Sequence, residues 1–429
     1  MNPLFRNDKQ GEYPASWYAD SADLAPARAP LQGAVSADVA ILGAGFTGLT
    51  AALELARKGL SVVVVEAHRA GFGASGRNGG QVGTGYNIDQ ATLERELGDA
   101  AARALWDLSM EAKAMVRDFC SAHAPEARFL PGVAHGAWRA GELREIKEDA
   151  DHLAQKYGFE TEYYECDAFR DIVRSPVYQG GTVDRDAGHV HPLRYCLALA
   201  REAEAAGVTI YENSPVTEAR QGRLSTAEGH VDAAHIVLCG NGYLPALNTR
   251  YAARVCPINS FIGATEPLQD PKAILSQDIA VADDRFVVNY FRLSEDGRLL
   301  FGGRENYGIG FPKDITTRLR QRMLHLFPQL GEVKFSHVWG GTLGITMRRV
   351  PLVTELKPGL WAAGGFSGHG VALTAVAGRC LAEAIAQDRT RFDTLAKLPT
   401  PPFPGGALSR APLLTLAMTW YSLRDKIGL

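Results

Sequence analysis

A chain of 429 residues is long enough for two or three folding units, and 46% hydrophobic against 22% charged residues leaves room for a large core and excludes wholesale disorder. The formal net charge of -3 argues against nucleic acid as a ligand, because neutralising phosphates needs clustered Lys and Arg. No apolar run of ~18 residues occurs and the N-terminus has no secretory h-region, so neither a transmembrane helix nor a signal is expected. The six cysteines, Cys120, Cys166, Cys196, Cys239, Cys256 and Cys380, are scattered without a CxxC pair. That predicts reduced thiols in a cytoplasmic protein, with no metal site and no disulfide framework.

In chain order, residues 1–35 read as an irregular arm. A strand is predicted from Asp38 to Leu42, a helix from about Gly45 to Lys58 closed by Gly59, and a second strand from Ser61 to Glu66. Its four consecutive valines suit a parallel strand buried on both faces, so these elements form a βαβ unit. A Gly-rich loop runs from Gly71 to Gly85. Helices are predicted over about 89–122, 141–157 and 190–207, the last opened by Pro192 and closed by Gly207. A strand spans Val208 to Tyr211, and two β-rich stretches follow, 215–240 and 255–305. The second holds strands at Phe286–Phe291 and Arg298–Phe301, with an Asp296-Gly297 turn between them. A strand at Gly359–Ala363 leads through a Gly-rich loop into a core helix, about 371–387. The stiff segment PTPPFPGG, 399–406, joins an amphipathic helix, about 407–426, which can pack on its own chain, a second subunit or a membrane surface. No internal repeat is visible, and the oligomeric state stays open.

Two loops carry chemistry. Gly43, Ala44, Gly45, Phe46, Thr47 and Gly48 spell GxGxxG between a strand and a helix, and Glu66, followed by Ala67, ends the next strand 18 positions on (66 − 48 = 18). Gly43 permits the tight turn, Gly45 the approach of a pyrophosphate, and Gly48 close packing of helix on strand. The helix N-terminus offers N–H groups to the anion, and Glu66 accepts hydrogen bonds from ribose hydroxyls. This specifies a dinucleotide without choosing between FAD and NAD. The second loop, Gly71-Phe-Gly-Ala-Ser-Gly-Arg-Asn-Gly-Gly-Gln81, is too Gly-rich for an ordinary crossover and can lie flat on a planar ligand. Arg77 and Asn78 would be its donors.

The loop residues Gly73, Ala74, Ser75, Gly76, Arg77, Asn78, Gly79, Gly80 and Gln81, a few residues past the acid, resemble the flavin loop of the D-amino-acid oxidase superfamily. Within it the similarity is to γ-glutamylputrescine oxidase-like proteins, through Ser16-Trp17-Tyr18-Ala19, GFGASGRNGGQ at 71–81, Tyr290-Phe-Arg292 and Asp296–Gly303. The resemblance covers about residues 15–390 and implies FAD. It places Val216 against the adenine, and Gly240, Asn241 and Gly242 beside the pyrophosphate. Gly364, Gly365, Gly368, His369, Gly370 and Val371 form its C-terminal flavin motif, where a helix start would face the flavin N1–C2=O region. Some relatives attach the flavin covalently through Cys or His. Residues 335–347 contain no Cys, and His68 lies upstream of the position those relatives use, so non-covalent FAD is expected.

The fold class that follows is α/β. A discontinuous Rossmann-like FAD-binding domain would comprise 36–95, 182–245 and 336–392. An α+β substrate domain with an antiparallel sheet would comprise 96–181 and 246–335, with 393–429 a linker and C-terminal helix. The implied reaction is oxidation of the C–N bond of a small amine or amino acid, first guess a γ-glutamylputrescine-like amine, to an imine that hydrolyses to a carbonyl compound, with O2 reduced to H2O2. A dehydrogenase passing electrons to a quinone or carrier protein is the alternative. A NAD(P)H-linked flavoprotein fits less well, because no second GxGxxG and no CxxxxC dithiol occurs. Tyr290, Trp339 and His369 are the substrate- or flavin-facing candidates, and Phe291 a further wall. Strand alternation sends Tyr290 and Arg292 to one face and Phe291 to the other. Arg292, Arg304 and Arg348 are candidates for a substrate carboxylate, which a guanidinium matches with two parallel bonds.

Overall fold

The computed structural model describes residues 3–283, 285, 288–306 and 310–406. The predicted 407–426 helix therefore lies outside the described residues, as do Phe286 and Val287 of the predicted 286–291 strand, which begins at Tyr290.

Two sheets organise the chain. The first runs in the order Leu352–Lys357, Leu360–Gly364, Gly229–Leu238, Gly33–Leu42, Val62–Val65, Thr209–Tyr211, with a small hairpin, 218–225, beside Gly229–Leu238. Its strands are parallel from Leu360–Gly364 to Thr209–Tyr211, and Leu352–Lys357 is an antiparallel edge. Val62 and Val64 enter one apolar cluster and Val63 and Val65 another, on the opposite face. Burial on both sides is the physical reason for four valines in a row. The helix Phe46–Arg57 lies on the first face against Leu373–Ile385, so closely that a Cβ on Gly378 would fall 2.8 Å from the Thr47 carbonyl oxygen.

The second sheet runs Phe335–Ile345, Cys256–Thr265, Leu299–Asn306, Tyr290–Leu293, Ala280–Asp283, Leu130–Ala137, Gly180–His189, Gln81–Val82. It is antiparallel except where Ala280–Asp283 meets Leu130–Ala137. One face buries Ala134, Val281, Phe291 and Phe301 against the helix Thr316–Leu326 through Leu319 and Met323. The other face looks towards the first sheet.

Two expectations are corrected. The arm is not irregular throughout: Pro3–Asn7 is a 3-10 helix, Trp17–Ser21 is a short helix capped by Ser16, and the first strand already begins at Gly33. The predicted 89–122 helix is two helices, Gln90–Leu97 and Asp99–His123, because Gly98 at φ +83° turns the chain between them. Asp99–His123 packs with the first sheet's core through Leu105, Leu108, Ala112 and Val116. Phe335–Ile345 and Gly180–His189 are strands of the second sheet, where each finds its hydrogen-bonding neighbours.

Candidate active site

A cavity of about 1320 Å³ separates the two sheets. Its floor is the GxGxxG turn. Gly43 has φ +105°, and a Cβ there would fall 2.9 Å from the Cys239 carbonyl oxygen. A Cβ on Gly48 would fall 2.0 Å from the Gly43 oxygen, so glycine is needed for helix to meet strand. The second loop folds onto the first: Ser75 Oγ accepts from Phe46 N (3.0 Å), and the Gly71 N–H donates to Ala44 O (2.8 Å). Asn78 shapes that loop, donating to Ala74 O and Ser75 O and accepting from Gly80 N at 2.7 Å. Glu66 accepts from the backbone N–H groups of Ala44 (2.8 Å) and His68 (3.0 Å), while burial pushes its carboxyl above the usual range.

The cavity brings together Gly43, Gly45, Phe46, Thr47, Glu66 and Ala67 at one end, then Gly73, Ala74, Ser75, Arg77, Asn78, Gly79 and Gln81 along the second loop. Val216, Gly240 and Asn241 join from the first sheet's far strands, and Gly368, His369, Gly370 and Val371 from the C-terminal loop. Ala44, Gly48, Gly76, Gly80, Gly242, Gly364 and Gly365 stand behind this lining as close-packed backbone. A Cβ on Gly364, for example, would fall 2.0 Å from the Tyr251 hydroxyl, and the Gly365 N–H is held by Asn241 Oδ1 at 2.9 Å.

Several side chains go elsewhere than expected. Arg77 borders the cavity, and its guanidinium binds Phe72 O, Gly340 O and the carboxylate of Asp8, so it ties the loop together. Arg292 does point with Tyr290, away from Phe291. It is buried outside the cavity, donating to Gly79 O, Val190 O, Leu293 O and Tyr18 Oη. Trp339 is core: its indole N–H donates to Arg77 O (3.0 Å) and its ring meets Tyr18 edge-on at 5.3 Å. Phe291 packs behind the sheet and is no wall either. Arg348 is at the surface, paired with Glu96. Arg304 lies on the strand Leu299–Asn306, and its side chain is outside the described residues.

Tyr290 does line the cavity, its hydroxyl 3.2 Å from Ser260 Oγ. His369 lines it too. Its Nε2 has no hydrogen-bond partner among the described residues, and burial, reinforced by His135, lowers its pKa to about 4. Sequence reasoning missed His135, Arg285 and Arg349, which also reach the cavity, and the arm residues Phe5, Asp8 and Gln10 that close over it. Phe5 packs against His68 and Tyr243, and the Tyr243 hydroxyl donates to Asp8. No local signal marks these residues, since each acts through partners far along the chain.

A glycine cradle at a helix N-terminus, a buried acid at the end of the next strand and a long cavity beyond them suit a dinucleotide carrying a planar ring. The sequence profile described as "DAO: FAD dependent oxidoreductase" matches residues 38–384. The chain belongs to this family. It is a FAD-dependent oxidoreductase of mixed α/β fold. It is 40% identical to probable oxidoreductase OrdL of Rhizobium meliloti (strain 1021), over 96% of this chain and 97% of that protein. It is 34% identical to gamma-glutamylputrescine oxidoreductase of Escherichia coli (strain K12), over 97% and 99%. The fold matches the crystal structure of glycine oxidase from Geobacillus kaustophilus with a TM-score of 0.74, at 21% identity over 86% of this chain and 100% of that one. Among the described residues, no helix is long and apolar enough to cross a membrane, and no group of His, Cys, Asp and Glu is placed to hold a metal ion.

Proposed function

We propose that this enzyme holds FAD non-covalently between the glycine loops and oxidises the C–N bond of a small amine, with γ-glutamylputrescine or a near relative as substrate and O2 as acceptor, in the cytoplasm. Gly43, Gly45 and Thr47 serve the pyrophosphate, Glu66 the ribose, and the 73–81 loop with 368–371 the ring. Bound FAD supplies the hydride acceptor. The protein binds and orients the amine and keeps water out.

The observation that carries the reading is the composition of the cavity beyond the glycine cradle. Tyr290, Val133, Ala282 and Val288 give it an apolar and aromatic wall, while Arg285 and Arg349 supply cations. Burial keeps His369 neutral, so its ring does not oppose an entering ammonium. A guanidinium lining the cavity suits a substrate that carries a carboxylate. The similarity along nearly the whole chain to the relative named for γ-glutamylputrescine points the same way.

The test is an anaerobic screen of the purified holoenzyme with glycine, sarcosine, putrescine and γ-glutamylputrescine, reading loss of flavin absorbance. The last should bleach the flavin fastest, and air-saturated buffer should reoxidise it rapidly. Turnover confined to glycine and sarcosine ends the substrate assignment. Slow reoxidation by O2 with fast reoxidation by a quinone makes the enzyme a dehydrogenase.

A further inference from the structure

Across the second sheet the register sets Thr182, His135, Ala282, Tyr290 and Gly302 in one line, each opposite the next on a neighbouring strand. Residues paired in this way point to the same face. Val133, His135, Ala282 and Tyr290 accordingly line the cavity, while their alternates Ala134, Val281 and Phe291 fill the core behind. His135 and Tyr290 are two strand spacings apart, roughly 10 Å, with only the Ala282 methyl between them. The Tyr290 ring leans away from Ala282. A Cβ on Gly302 would fall 2.1 Å from it and a Cβ on Gly79 2.8 Å, so both glycines make room for the phenol. Ala282 is thus the floor of a slot with an imidazole on one side and a phenol on the other.

The His135 ring projects into the cavity and makes no hydrogen bond to another described residue. His135 is exposed to the open cavity, and the protein packed around it disfavours its charged form, which the nearby Asp184 only partly offsets. Asp184 itself is occupied by Thr84 and by the N–H groups of Asp186 and Ala187. A neutral imidazole presents one N–H donor and one ring-nitrogen acceptor. An amide presents one of each as well, whereas the methylenes of a plain diamine present neither. Three residues beyond Ala282, Arg285 also borders the cavity, its guanidinium held over the Trp138 ring at 4.8 Å.

We propose that His135 and Ala282 determine specificity for an elongated, amide-bearing amine: the substrate chain lies in the slot over Ala282, His135 hydrogen-bonds its amide, and Arg285 meets the carboxylate at its end. This rests on the reading of the cavity as a site of amine oxidation. It names the part of that site which separates a γ-glutamylated diamine from the bare diamine.

The experiment compares wild type, His135→Leu, His135→Gln and Ala282→Leu as flavin-loaded enzymes. The first readout is the ratio of kcat/KM for γ-glutamylputrescine over putrescine. The second is calorimetric binding of N-butyl-γ-glutamine, which lacks the reacting amine and cannot turn over. His135→Leu should lower the ratio at least tenfold, chiefly through KM, and weaken binding of the analogue in step. His135→Gln, which restores a donor and an acceptor, should recover most of both. Ala282→Leu should abolish analogue binding, and Ala282→Val should give a smaller loss of the same sign should the leucine variant fail to fold. Unchanged ratio and unchanged analogue binding in flavin-loaded His135→Leu and Ala282→Val overturn the inference while leaving amine oxidation standing. A wild type whose flavin no amine bleaches overturns both.

Discussion

Glu66 shows how a single residue can satisfy a sequence motif and a local structural demand together. Its carboxylate receives the N–H groups of Ala44 and His68, joining the glycine turn to the end of the second strand. An ionised carboxylate has about four lone-pair sites, so two remain for ribose hydroxyls. Glu66→Ala should therefore weaken FAD binding by about 1–3 kcal/mol, the range for a hydrogen bond to a charged group. Titrating apoprotein with FAD measures this, and an unchanged Kd would remove Glu66 from the ribose site. The arginines teach the opposite lesson. Arg77 and Arg292 have the residue type that an anion site wants, yet each donates to backbone carbonyls brought in from elsewhere in the chain, Gly340 and Val190 among them. A guanidinium has five N–H groups and no preference for a ligand over a buried carbonyl, so residue type could not decide its role.

Among the elements, the N-terminal arm departs most from its sequence reading. Composition suggested an irregular lead-in, but Pro3–Asn7 and the residues after it form a strap over the cavity. Asp8 and Arg77 pair with almost no exposure, Asn7 Oδ1 accepts from Phe311 N, His68 Nδ1 accepts from Gly11 N, and Tyr13 donates to Ala70 O. The strap lies outside the segment matched by the family profile, residues 38–384. Deleting residues 1–12 removes a buried charge partner and leaves Arg77 unpaired, which should cost about 3–5 kcal/mol of stability. It should also speed flavin loss during gel filtration. Urea denaturation gives the first quantity and the flavin-to-protein absorbance ratio the second. A truncated protein that keeps its flavin as long as the full chain does would show that the strap closes nothing.

At the scale of the whole molecule, buried neutral imidazoles set the acid limit. Burial lowers His68 and His369 to about 4 and His189 to about 3, and His191 lies well below its ordinary value. In the unfolded chain each would titrate near 6.5. Above that pH both states are neutral and the difference vanishes. Between about 6.5 and 4 the unfolded state binds protons that the folded state refuses, so stability falls as pH falls. The slope is about 1.4 kcal/mol per pH unit for each such proton. Glu66 and Asp283, both held above the usual carboxylate range by burial, oppose part of the loss. Thermal denaturation should therefore show a Tm that is level above pH 7 and falls steadily from 6.5 towards 4. A level Tm down to pH 4.5 would mean that these rings are not buried as neutral groups.

What the sequence by itself determined was the cofactor half. The glycines of the turn, the four valines and the acid that follows them are short-range signals, because positive φ, close backbone approach and burial on both faces each admit few residue types. Those elements formed within a few residues of where they were read. Tertiary structure alone decided the far wall of the cavity. His135, Ala282 and Tyr290 are adjacent only through strand register, at separations of more than a hundred residues for the first pair. Trp339 and Phe291 look like walls in sequence and are core in space. A strand's period of two says that neighbours face opposite ways but not which face meets the ligand, and that choice rests on what the rest of the chain packs against each side.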